Sequence, residues 1–484
     1  LDLSYCKIQQ LPPTLSGLEH LCELTLVDAH LSSFPLVVAY LPELRNLDLS
    51  RNQIDSIPAV VARLEQLVTL SLRRNKLTRF PRALAQLGHL RYLDLSGNSI
   101  WVLDEDLSAL RRLRELDLSR NQLQYIAPSI GYLPAMERLD LSNNSELRQF
   151  PFPIVRWTGL TQLNIRNCGI LEINDNLGRL DLLRSLDLSD NPLRFLPPSL
   201  TSLHKLEELY LNDMNLVSID EDLSSLTELR RLSLRHNPLE LLPTGLSQLP
   251  NLIELDASDC ELVNISSALG TCQNLRELNL RGNETLEQLP SSIGLLTKLR
   301  FINLDDTGIS SRSIAYIYRN SEVFCRLTTS STANSDEFSY LTIKLDPEMA
   351  RQDIASLLTI PKLYNLELPH LHLTHFPMVR GQLLELRELD LSYNELSNAG
   401  LPATLFELPQ LYELNLAHNL LEEVPTGLDN LPNLQVLHLQ DNLIADWELA
   451  GTLRARLREY RSGRTSGIRV NRVQNRGKGR IKGD

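Results

Sequence analysis

The sequence predicts an α/β solenoid, a horseshoe with a parallel β-sheet on its concave face and irregular or briefly helical segments on the convex side. Three observations predict it. A leucine pattern returns every 23 residues over most of the 484-residue chain. Inside each return, apolar and polar residues alternate with period two, which makes a strand with one buried face. Between these stretches an apolar-Pro-x-x-Leu motif recurs, suited to chain that is neither strand nor helix interior.

The strand element is read from Leu44-Arg-Asn-Leu47-Asp-Leu49-Ser-Arg-Asn52, which returns as Leu67-Val-Thr-Leu70-Ser-Leu72-Arg-Arg-Asn75 and again ending at Asn98, Asn121 and Asn144. The landmark position continues through Cys168, Asn191, Met214, Asn237, Cys260, Asn283 and Thr307. After a break it resumes at Leu371, Asn394, Asn419 and Asn442, while Cys6 and Ala29 precede Asn52. Of 18 landmarks, 11 are Asn and three are Cys. Leu47 and Leu49 are expected to point inward, Asp48 and Ser50 outward. The turn after each strand would bury backbone N–H and C=O groups, and an unpaired buried group costs free energy. An Asn side chain offers both a donor and an acceptor to such groups, and Cys fills the same place as a small buried thiol. Cys6, Cys168 and Cys260 therefore read as ladder residues. By the same logic Asn283 is buried and is no glycan acceptor, although Asn143, Asn264 and Asn283 all open N-x-S/T triplets.

The convex element is read from Leu11-Pro-Pro-Thr-Leu15, Ile57-Pro58, Phe80-Pro81, Leu196-Pro197, Leu289-Pro290 and Val424-Pro425. Together the two motifs resemble the leucine-rich-repeat superfamily over nearly the whole chain. The Pro-bearing 23-residue variant is similar to the subclass found in intracellular Ras-pathway scaffolds, plant intracellular immune receptors and bacterial effectors. The stretch from Asn283 to Ile293 looks like repeats of those plant receptors. The resemblance implies a scaffold, signalling or effector role exercised by binding protein.

Residues 1–307 are thus expected to form regular coils of 23–24 residues. The 64-residue interval from Thr307 to Leu371 breaks the period. We read 308–340 as an irregular insertion, with a short helix over 310–318, a polar loop over 328–335, and then a strand over 341–345 and a helix over 347–358. Coils resume over 341–446. Trp447, Leu449, Leu453, Leu457 and Tyr460 share one helical face, so 447–460 reads as a C-terminal capping helix. Residues 461–484 read as a basic, disordered tail. From Thr452 onward there are 11 basic and two acidic side chains, net +9; with −12 overall, the remainder carries −21.

An acidic body lacks the basic stripe of a nucleic-acid binder. No run of 18 apolar residues offers a membrane span. The chain starts inside a repeat at Leu1-Asp2-Leu3-Ser4 with no apolar leader, and so reads as a fragment. None of the six cysteines stands in a CxxC pair, and their scatter suits a reducing, cytoplasmic setting, or delivery into a host cell for a bacterial effector. No phosphate loop, HExxH or nucleophile elbow is present. His370, His372 and His375 lie around a strand and turn, and Asp104-Glu-Asp106 and Asp220-Glu-Asp222 on convex turns. No cofactor, metal or catalytic residue is expected.

Binding is expected on the concave face. Four positions before the landmarks runs an outward column that includes Asp48, Asp94, Asp117, Asp140, Asp187, Tyr210 and Asp256. Two positions before them stand Arg73, Arg166 and Arg235 among serines, and Tyr92 is a further departure from the common filler. Aromatic and arginine side chains are the types that most often anchor interfaces. The expected function is therefore a monomeric protein-interaction module with a protein ligand, not an enzyme. The alternative is the substrate-recruiting region of a larger enzyme or receptor, such as a bacterial ubiquitin-ligase effector or a nucleotide-binding immune receptor, whose catalytic or switch domain lies outside this chain; no Cys follows Cys325 to serve a ligase.

Overall fold

The computed structural model describes residues 1–8, 10–193, 195–319, 325–329, 341–444 and 469–470. The chain forms two compact units, one comprising Leu1–Leu239 with Pro243–Leu252, the other Glu240–Leu242 with Ile253–Asp484. Each shows the predicted α/β solenoid architecture.

The strands of the first unit are β1 (Glu23–Thr25), β2 (Asn46–Asp48), β3 (Thr69–Ser71), β4 (Tyr92–Asp94), β5 (Val102–Leu103), β6 (Glu115–Asp117), β7 (Tyr125–Ile126), β8 (Arg138–Asp140), β9 (Gln162–Asn164), β10 (Ser185–Asp187), β11 (Glu208–Tyr210) and β12 (Arg231–Ser233). All except β5 and β7 pair as successive parallel neighbours. The register is constant: Leu24, Leu47, Leu70, Leu93, Leu116, Leu139, Leu163, Leu186, Leu209 and Leu232 stand opposite one another, and all are buried. A slip of one residue would turn every leucine to solvent, so this column holds the register. β5 and β7 pair separately.

The landmark asparagines form the expected ladder. Asn52 donates from Nδ2 to the carbonyls of Leu26 (2.7 Å) and Leu49 (2.9 Å), while its Oδ1 accepts from the N–H groups of Ala29 (3.1 Å) and Leu31 (3.0 Å). Asn283 is fully buried in the same arrangement, its Nδ2 donating to the carbonyls of Ala257 (2.9 Å) and Leu280 (2.7 Å). Cys168 substitutes as a thiol, its Sγ lying 3.1 Å from the Leu141 carbonyl. Burial pushes that thiol up to about 12, so it stays protonated as a donor. Cys260 is buried, whereas Cys6, at the same position in the first coil described, is exposed.

Opposite the strands the prolines have a specific role. Pro35, Pro58, Pro81 and Pro197 occupy the N-cap position of short 3-10 turns with φ between −73° and −70°. That is the φ the ring imposes, and the missing N–H costs nothing there. Where the coil carries Thr244-Gly245 instead, Gly245 takes φ +82° before the turn Leu246–Gln248. A Cβ at Gly245 would lie 2.1 Å from Asp222 Oδ1 and 2.5 Å from the Ser224 nitrogen. Asp222 cannot simply swing away, since its Oδ1 caps the turn Leu223–Ser225 through the Ser224 N–H at 3.0 Å. Gly245→Ala is expected to destabilise this unit by about 2 kcal/mol, combining left-handed strain with loss of that cap. Thermal unfolding measures it, and a change below roughly 0.5 kcal/mol would refute the packing argument.

The second unit contains β13 (Glu254–Asp256), β14 (Glu277–Asn279), β15 (Phe301–Leu304), β16 (Cys325–Thr328), β17 (Leu341–Leu345), β18 (Leu363–Glu367), β19 (Glu388–Asp390), β20 (Glu413–Asn415), β21 (Val436–His438) and β22 (Arg469–Val470). All pair in parallel, but spatial order departs from chain order. β17 pairs with β15 on one side and β16 on the other, and β16 pairs with β18. The segment 308–340 therefore contributes a strand, β16, that the repeat spacing does not announce. Two ion pairs tie the exchanged strands to their neighbours: Lys344 of β17 to Asp305 just after β15, at 2.9 Å, and Arg326 of β16 to Glu367 of β18.

Helix α1 (Ser311–Tyr318) is capped by Ser310 and buries Ile314, Ala315, Ile317 and Tyr318. The helical stretch expected over 347–358 is two helices, α2 (Pro347–Gln352) and α3 (Ile354–Leu357). Asp353 between them leaves helical conformation at φ −146° and caps α3 by accepting from the Ser356 N–H. The expected capping helix over 447–460, the loop over 330–335 and all of the basic tail except 469–470 lie outside the described residues.

Candidate functional site: the sheet face

Residues six, four and two before each landmark face away from the leucine core. The Asp-x-Ser spelling at the last two positions has a structural cause. Asp48, Asp94, Asp117, Asp140 and Asp187 each accept, through Oδ1, the backbone N–H two residues ahead, at 2.8–2.9 Å. Asp256, in the second unit, does the same with Ser258 at 3.0 Å. Each carboxylate closes an Asx turn where its strand ends. The serines are consequently covered: Ser50, Ser96, Ser119, Ser142 and Ser189 are all buried, although they stand on the outward side of the strands as the alternation predicts. Asp94 is drawn in as well and is only 5% exposed. It contributes charge to the surface more than contact.

Six neighbouring strands of the first unit, β4, β6, β8, β9, β10 and β11, enclose a shallow depression of about 360 Å³. Tyr92 stands at one end and Tyr210 at the other. Asp117, Asp140, Asn164 and Asp187 form the middle, with Glu115, Arg138, Gln162 and Ser185 along one side. That side is the column six before the landmark. Apart from Tyr92 its members escaped the sequence reading, though the same period of two marks them. Arg138 donates to Glu115 at 2.7 Å, and beside the depression Arg231 donates to Glu208 at 2.6 Å.

The electrostatics are those of a crowded acidic surface. Burial lifts the Asp117 carboxyl above its ordinary range, with the Asp140 charge adding to the shift and the Ser119 hydrogen bonds opposing it. Asp94 is raised the same way, by burial first and Asp117 among the lesser causes. Burial, helped by Asp94, Asp117 and Glu115, pushes the Tyr92 phenol up to about 12, so it is a neutral donor at physiological pH.

The other residues singled out from the sequence are distributed around this patch. Arg73 is exposed on the coil before β4 and opposes the upward shifts of Tyr92, Asp94 and Asp117. Arg166 is tied to Asp190 at 2.5 Å. Arg235 is exposed after β12, and its backbone N–H donates to Asn212 Oδ1. Asp48 lies on β2, away from the depression, and Asp256 belongs to the other unit. The histidines are engaged elsewhere: His370 stacks on Tyr393 with ring centroids 4.3 Å apart, and His372 Nδ1 lies 2.8 Å from Glu395. Among the described residues, no group of three or more His, Cys, Asp or Glu is placed to hold a metal ion. No helix among them is long and apolar enough to cross a membrane.

Family models described as leucine-rich repeats match residues 42–100 and 385–444, 88–129 and 111–154 (two copies), 182–203 and 228–249, and 271–287. No curated protein sequence matches this one. Among solved structures, a leucine-rich-repeat protein of Leptospira interrogans is similar with a TM-score of 0.58 and 23% identity, covering 97% of this chain and 100% of that one. The functional domain of InlJ from Listeria monocytogenes, which includes a cysteine ladder, gives a TM-score of 0.51 at 19% identity over 87% of this chain and 73% of its own. An internalin of the same organism, InlF, gives 0.50 at 20% identity over 74% and 88%. At these identities the likeness is one of fold.

Proposed function

Since the chain belongs to the leucine-rich-repeat superfamily, we propose that it is a protein-interaction module whose sheet face binds a protein partner. One observation carries the reading: six strands in constant register assemble a depression with a tyrosine at each end and ordered carboxylates between. Aromatic anchors supply contact area at small entropic cost. Fixed charges between them select among partners. The reading is non-catalytic, because the aspartates in the depression are held by the turns that end their own strands and Glu115 is held by Arg138. Asp48, Arg73, Asp94, Arg166 and Arg235 are read as the outer field of the same surface, and Asp256 as a partner-binding residue on the sheet face of the second unit. The chain acts as a monomer, with no cofactor and no nucleic acid. Its six cysteines form no disulfide, in keeping with a reducing, cytoplasmic setting.

The test is affinity capture with the full chain as bait, beside a Tyr92→Ala/Tyr210→Ala variant and a Phe195→Ala control. Phe195 is 75% exposed and lies off the strands. If both tyrosines are anchors, each contributes about 2 kcal/mol, and the double variant should lose the partner while keeping its melting temperature. The Phe195 control should retain it. Equal retention by all three baits would sink the proposal.

A further inference from the structure

We infer that the depression on the first unit takes one class of partner: an extended peptide segment of roughly seven residues bearing arginine or lysine at alternate positions. This rests on the sheet face being the binding surface, and adds the chemistry of what binds there.

Charge complementarity is the first argument. The lining holds four carboxylates, Glu115, Asp117, Asp140 and Asp187, against one guanidinium, Arg138, which Glu115 already engages at 2.7 Å. The carboxylates are also oriented. The Oδ1 atoms of Asp117, Asp140 and Asp187 are pinned by backbone N–H groups at 2.8–2.9 Å, which fixes the orientation of each carboxylate. Asn164 donates to Asp140 Oδ2 at 3.2 Å. The Oδ2 atoms of Asp117 and Asp187 accept no hydrogen bond among the described residues. Acceptors held in place without donors are preorganised for a cationic donor, and a guanidinium can present two N–H groups to one carboxylate. Burial already makes the charged form of Asp117 less favourable, so an incoming cation relieves a cost that the fold imposes.

The tyrosines agree with this chemistry. A guanidinium packs over a phenol ring, as the chain's own Arg63 does over Tyr40, 4.9 Å from the ring centroid. Tyr92 and Tyr210 would receive the ends of the segment.

Geometry sets the length and the mode. β6, β8, β9 and β10 each have a parallel neighbour on both sides, so a peptide cannot join the sheet as a strand here. It must lie across the strands and bind through side chains. Successive pairings lead from β4 through β6, β8, β9 and β10 to β11, and five steps at about 4.8 Å span roughly 24 Å. An extended chain rises about 3.3 Å per residue, so about seven residues cover that span, and alternate side chains face the sheet.

The fold supplies its own control. Asn164, and Asn303 and Asn415 in the second unit, hold the equivalent position of their own repeats and accept the same N–H two residues ahead, at 3.1–3.2 Å. Asp117→Asn, Asp140→Asn and Asp187→Asn together should therefore remove three charges and keep the turns. The experiment is selection from a displayed random heptapeptide library on the immobilised full chain, on this triple variant and on Tyr92→Ala/Tyr210→Ala. Thermal melting checks each protein.

We expect the wild type to enrich peptides with alternating arginine or lysine. Affinity for them should fall on the order of tenfold in the triple variant, and should weaken with rising salt. Enrichment of neutral or acidic peptides that still depends on Tyr92 and Tyr210 would overturn the cationic assignment and leave the sheet face as the binding surface. Enrichment indifferent to every sheet-face substitution would overturn both. No enrichment over blank support would overturn the peptide assignment.

Discussion

Replacing Asn191 with alanine is expected to cost about 3 kcal/mol and to open the two coils around it. Its side chain is 1% exposed and satisfies four backbone groups that lack other partners in the turn. Oδ1 accepts from the N–H groups of Cys168 and Ile170, both at 3.0 Å, and Nδ2 donates to the carbonyls of Ile165 and Leu188, both at 2.8 Å. Each buried group left unpaired costs about 1–3 kcal/mol, and water entering the vacated space recovers part of the total. Asn191→Asp has the same shape but should cost more, because a buried carboxylate cannot donate and would face two carbonyl oxygens. Asn191→Cys should cost least, since Cys168 serves the neighbouring coil with a single thiol donor. Repeats stabilise one another pairwise, so the loss is best read locally, by hydrogen exchange at the amides of Cys168 and Ile170 together with thermal melting. Unchanged protection of those amides in the alanine variant would show that the ladder is dispensable.

Lys344→Ala is the second large effect, with an expected loss of about 3–5 kcal/mol. The side chains of Lys344 and Asp305 are 8% and 16% exposed and meet at 2.9 Å. Alanine deletes the cation and leaves Asp305 charged in a nearly dry position, which is costlier than never having had the pair. Lys344→Met with Asp305→Leu removes both charges at similar volume and should recover most of the stability. Melting curves of the two singles and the double complete the cycle. A loss under about 1 kcal/mol for Lys344→Ala would mean that water reaches Asp305 and that the pair behaves as a surface bridge.

What could be read from the sequence follows the range of the interactions concerned. The leucine register, the asparagine ladder and the cysteine at 168 depend on contacts one coil away, and a 23-residue period announces them. The prolines were legible as breakers; their role as caps of 3-10 turns comes from φ, which the ring itself dictates. The alternation placed the aspartates on the side of the strands away from the leucines, yet the covering of their serines was hidden, because it depends on a turn that pulls the Ser N–H toward the carboxylate. Glu115, Arg138 and Ser185 were overlooked because residues six before the landmark vary in type, while the sheet gathers them into one edge of the depression. The exchange of β16 and β17 has no sequence signature at all. Strand order is settled by which edges pair across dozens of residues, and both segments carry the same alternation of apolar side chains.

That exchange changes how the second unit would come apart under tension. In a solenoid whose strands lie in chain order, a pull on the C-terminal side peels one edge strand at a time, breaking one ladder at each step. Here the strand next in line after β18 is β17, which lies between β15 and β16. Drawing it out must break two ladders together and the Lys344–Asp305 pair with them. The exchanged strands thus act as a lock, a point where unravelling by single coils has to stop and a larger block must yield at once.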